Sequence, residues 1–109
     1  MESGGMIAIA AMMIFSAASM QAAAAALPRQ QFVACLKQSV EKAKSDKMKP
    51  EGFGPFARQN CAAQLGSFKQ GLVSFDVKNG VARKRAESDA DLQIEDYLIG
   101  SSEKLDPGS

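Results

Sequence analysis

Cys35 and Cys61 are the only side chains in this 109-residue sequence whose type and number point to a covalent chemistry. Each lies inside an apolar pattern of helical period, Cys35 at the flank of its stripe and Cys61 near the centre of its own. Two cysteines in a chain bound for an oxidising compartment most often form one disulfide, and two allow only one connectivity. The competing use is a redox thiol pair. That chemistry favours Cys-x-x-Cys beside a sheet-forming pattern, and the sequence has neither.

Other constellations are weaker. The chain has no His, which excludes Ser-His and Cys-His nucleophiles and His-containing zinc sites. The acidic stretch from Asp89 to Asp96 invites a calcium reading. It lacks the Gly that an EF-hand loop needs at its sixth position, and its carboxylates recur at helical spacing, so it reads as a solvated helix face. Arg83, Lys84 and Arg85 are followed by Glu87, Asp89, Asp91, Glu95 and Asp96, and the two signs cancel over a Debye length of about 8 Å. Carboxylates alone can serve as acid and base, as in glycoside hydrolysis, but no pair here sits in a cleft-forming context. The phenylalanines at helical spacing are core residues first; lining a groove for an apolar ligand is their less favoured use. No catalytic, cofactor or metal-binding residue is assigned, and the chain is not expected to be an enzyme.

Charge and length narrow the class. Thirteen basic side chains face twelve acidic ones, a balance that argues against a nucleic-acid binder. Met6 to Phe15 is an unbroken apolar run, followed by small residues ending in overlapping Ala-x-Ala triplets, the layout of a signal peptide over residues 1–26. Cleavage is expected after Ala26, leaving Leu27 first, in a periplasmic or secreted protein. The opening MESGG lacks the usual positive charge and adds Glu2. An uncleaved anchor over Met6 to Leu27 is therefore the alternative, although its serines, Gln21 and alanines make a poor span against the roughly 20 strongly apolar residues a membrane helix wants.

The remainder reads as helix. Phe32, Leu36, Val40 and Ala43 stack on one face of a first helix opening near Pro28, which ends in the run Ser45 to Pro50. A joint follows at Gly52, Gly54 and Pro55, with Phe53 and Phe56 as plugs for the end of the core. From Pro55 a longer pattern carries Phe56, Cys61, Leu65, Phe68, Leu72 and Phe75, then Val81, Ala82, Ala86, Ala90, Ile94 and Tyr97. The Asn79-Gly80 pair interrupts it. A fresh helix beyond that pair would set three cations at its positive end, so a continuous but kinked helix is favoured over two separate ones.

These readings predict an all-α domain over residues 27–100, a helical hairpin or small bundle with a long second helix. One Cys35–Cys61 disulfide staples it, and residues 101–109 form a flexible tail in which Leu105 alone can touch the core. The stripe from Cys61 to Tyr97 spans about 54 Å against about 30 Å for the first helix, so its excess must fold back or meet a partner. The expected role is binding another protein, or a second copy, through that stripe, with no nucleic acid and with a membrane only if the leader stays attached. A membrane-tethered envelope element is the alternative.

Overall fold

A computed structural model describes residues 25–106, which form four α-helices and a short 3-10 turn, with no strand among them. Helix α1 occupies residues 25–45, α2 Pro50–Asn60, α3 Ala62–Lys78, α4 Arg83–Ser102, and the 3-10 turn Glu103–Leu105. The fold is an all-α bundle with one Cys35–Cys61 disulfide. All of the expected leader except its last two residues lies outside the described residues, as do residues 107–109 of the expected tail.

Helix α1 buries the stripe its sequence announces: Phe32, Leu36, Val40 and Ala43 are buried, with Cys35 beside them. It is already helical at residues 25–27, ahead of Pro28. Its other end is a Schellman motif, in which the Lys47 N–H bonds to Lys44 O and the Met48 N–H reaches back to Ala43 O at 2.8 Å. That geometry requires a left-handed residue, and Lys47 supplies it at φ 56°. Helix α3 ends the same way, with Gly80 N–H to Val77 O and Val81 N–H to Asp76 O. There the left-handed residue is Gly80, at φ 91°, which has no Cβ to strain.

Three expectations about the second half are corrected. The joint does not lie at Gly52 to Pro55. Pro50 sits at the first position of α2, where its fixed φ suits a helix and its missing N–H loses nothing, so both glycines and Pro55 fall inside that helix. The bend therefore lies at 46–49, and Phe53 inside α2 still plugs the core, with Phe56 edge-on to it at 6.3 Å. Secondly, the long helix is not continuous. It kinks at Cys61, where Cys61 N–H to Ala57 O and Leu65 N–H to Cys61 O carry the hydrogen-bond register across, and it ends at Asn79.

The separate helix α4 thus starts with Arg83, Lys84 and Arg85 in its first turn, against the macrodipole, and Ala82 provides no side-chain cap. The magnitudes explain why the dipole argument loses. Exposed charges near a helix end are worth about 0.3–1 kcal/mol each, whereas α4 buries Ala86, Ala90, Ile94 and Leu98, and a large aliphatic alone is worth about 1.5–3 kcal/mol. Thirdly, α4 runs through Gly100 to Ser102, so the expected tail is helical at its start, and Leu105 packs on the core.

Contacts fix the directions. Phe32 stacks on Phe68 at 5.7 Å and meets Tyr97 edge-on at 6.0 Å, while Lys69 pairs with Asp91 at 2.8 Å. Helix α1 is therefore antiparallel to α2 and α3, and α4 returns antiparallel to α3 and parallel to α1. All four helices contribute to the main core, whose largest fully buried side chains are Phe32, Phe53, Phe68 and Ile94. A smaller cluster of Val73, Ala86 and Ala90, with Val77 and Val81 against it, closes the α3–α4 end. The excess stripe folds back on its own chain at Asn79-Gly80, so Ala86, Ala90 and Ile94 are spent inside the molecule.

Candidate functional site

The disulfide is the best-defined chemical feature. Its two Cα atoms stand 5.9 Å apart, within the range a bond spans without moving the backbone. Cys61 is fully buried at the α2–α3 kink, and Cys35 nearly so on α1. Beside the bond, Ser39 is buried one turn after Cys35. Its hydroxyl donates to Cys35 O at 2.9 Å and accepts from Asn60 Nδ2 at 2.8 Å. The Ser39 oxygen also lies 3.3 Å from Cys61 Sγ, but a disulfide sulfur has no proton to give and the hydroxyl proton is committed to the carbonyl. For the same reason Cys35 Sγ, 3.8 Å from Asn60 O, is a contact and not a donor while the bond is closed. The frame thus ties α1 to the end of α2 by hydrogen bonds as well as by sulfur.

The charged stretches are surface. Arg83 and Lys84 are exposed at the start of α4, and Arg85 lies 3.8 Å from Asp89 one turn on, as expected from its spacing. Arg83 and Glu87, at the same spacing, make no ion pair among the described residues. Of the acids, Asp91 bridges to Lys69 and Glu95 to Arg58, each from α4 to a neighbouring helix. No group of three metal-ligating side chains occurs among the described residues, and no helix there is long and apolar enough to cross a membrane.

Two surface features are left once the core is assembled. One is a groove of about 450 Å³ between α1 and α4, with Val33, Leu36, Tyr97 and Gly100 along it. It exists because the α4 positions facing α1 after Tyr97 are Gly100, Ser101 and Lys104, none of which offers an apolar side chain large enough to fill the seam. Lys37, Lys104 and Asp96 complete its walls, and none of the three forms an ion pair among the described residues. The other is the outer face of α4, where Leu92 is 65% exposed and Ile99 is 49% exposed.

Sequence reasoning identified both cysteines and missed the rest. Ser39 was detectable as a polar residue on the buried stripe of Phe32, Leu36 and Ala43. Ser101 was read as tail, although it continues the spacing of Ala90, Ile94 and Tyr97. No protein-family model, no curated protein and no solved structure matches the chain.

Proposed function

We propose that this chain is an exported, non-enzymatic protein of a bacterial envelope that works by binding another protein through the outer face of α4. The disulfide supports export, because such bonds persist in oxidising compartments, and the leader-like residues 1–26 agree with it.

The observation that carries the binding role is the placement of Leu92 and Ile99. At 100° per residue they lie about 160° and 140° round the helix from the fully buried Ile94, within about 20° of each other and on the side away from the core. Folding of the monomer leaves about two thirds of Leu92 and half of Ile99 exposed. Covering what remains exposed of both would contribute about 2–3 kcal/mol, and the flanking Arg85, Ser88 and Glu95 offer a polar rim.

A photo-activated cross-linker at position 92, compared with one at exposed Ser74 on α3, tests the reading. A defined adduct from position 92 that is absent from 74, and lost when Ile99→Glu is added, is expected. Ile99→Glu should leave the melting temperature within about 4 °C, since the side chain is half exposed. No adduct from position 92, together with a monomer at all concentrations by light scattering, removes the proposal.

A further inference from the structure

The groove between α1 and α4 is a separate site from the outer face of α4, and its chemistry selects a different occupant. We propose that it binds a single-chain amphiphile with an anionic head, a long-chain carboxylate being the simplest case.

Size and lining come first. Its volume of about 450 Å³ falls in the range of roughly 300–1,000 Å³ typical of small-molecule sites. Val33, Leu36 and Tyr97 give it an apolar floor, and at Gly100 an added Cβ would meet nothing within 4 Å, so the space is open down to the α4 backbone. An alkyl chain laid there would displace water from apolar surface on both helices.

Charge then orients the ligand. Lys37 projects from α1 and Lys104 from the turn after α4, on opposite walls. An adjoining hollow shares Lys104 and adds Lys44, Lys47 and Lys49, with no acidic residue in its lining. Lys44, Lys47 and Lys104 sit at helix C-terminal ends, where the dipole alone favours a cation. Lys37 lies two turns inside α1 and has no such reason to be there. The single carboxylate, Asp96, stands beside Tyr97 at the other end of the groove. An anionic head is therefore drawn to the lysine end and repelled from the Asp96 end, and the chain lies towards Val33 and Tyr97.

The test uses the full chain in its oxidised form and dodecanoate below its micelle-forming concentration, followed by titration calorimetry and by amide shifts in NMR spectra. Expected is saturable one-to-one binding with a Kd of order 0.1 mM, with the shifts centred on Val33, Leu36, Tyr97 and Gly100. Dodecyltrimethylammonium should bind at least about fivefold more weakly, because it presents a cation to the lysines. Gly100→Leu fills the floor at a position free of neighbours and should weaken dodecanoate at least about tenfold. Should that variant fail to fold, Lys37→Glu with Lys104→Glu, both at exposed positions, should weaken binding by about tenfold without changing the melting temperature by more than a few degrees. Leu92→Glu should leave dodecanoate affinity unchanged, which separates this site from the protein-binding face. Non-saturable binding, shifts centred on Leu92 and Ile99, equal affinity for the cationic amphiphile, or full affinity in folded groove variants each overturns the proposal.

Discussion

Opening the Cys35–Cys61 bond should cost this protein a large share of its stability, and the size of the loss follows from the loop it closes. The cysteines are 26 residues apart, for which the chain-entropy relation gives about 3.5 kcal/mol at 25 °C. A domain of this size has roughly 4–12 kcal/mol in total. Little of the loss is recovered, because two buried thiols act only as small hydrophobes in place of the bond. The Ser39 and Asn60 hydrogen bonds can persist in the reduced protein, each worth about 1 kcal/mol, too little to replace the covalent constraint. At about 4–8 °C per kcal/mol, the melting temperature should fall by roughly 14–28 °C on reduction. Thermal melts followed by circular dichroism, with and without reductant, measure it. The Cys35→Ala, Cys61→Ala double variant should melt close to the reduced wild type, with Ala preferred to Ser because Cys61 is fully buried. Oxidised and reduced protein melting within 3 °C of one another would refute the view that the bond, and not the apolar core alone, holds α1 onto the kink.

Exchanging the two left-handed residues should move stability in opposite directions. Lys47→Gly relieves a backbone strain of about 1–2 kcal/mol against a smaller cost in unfolded-chain entropy and should stabilise by about 0.5–1 kcal/mol, whereas Gly80→Ala should destabilise by about 1 kcal/mol or more; urea titrations with an unchanged m-value read both. Gly66→Ala, within α3 and with nothing near the added Cβ, should stabilise by up to about 1 kcal/mol in the same assay, and a loss would mean that α3 is not helical there. The ion pair of Arg58 with Glu95 joins half-exposed side chains, so Glu95→Gln should change stability by less than about 1 kcal/mol, with an effect that shrinks at high salt.

Much of the fold was legible because its signals are local. The stripe Phe32, Leu36, Val40, Ala43 and the positions Cys61 and Phe68 can be read from period alone, and the core contains all of them. The end of α1 was legible in approximate place but not in kind, since no rule of composition puts Lys47 in a left-handed conformation. Asn79-Gly80 was legible as an interruption. Its outcome was decided by packing, for the dipole cost of starting α4 at Arg83 is small beside the burial of Ile94 and Leu98 in the main core. The glycines of α2 misled because Pro50 governs where that helix starts. The groove was illegible for a different reason: it comes from what is missing at Gly100 and Ser101 between two helices whose parallel pairing appears only once the chain has folded back.

Mass spectrometry of the protein recovered from the exported fraction, alkylated while unfolded and without reductant, tests the central claim of a disulfide-closed, exported bundle. The account predicts a species beginning at or near Leu27 that takes up no reagent until it is reduced, and then takes up two equivalents. A full-length species found only with membranes, or one that accepts two equivalents before reduction, would contradict it.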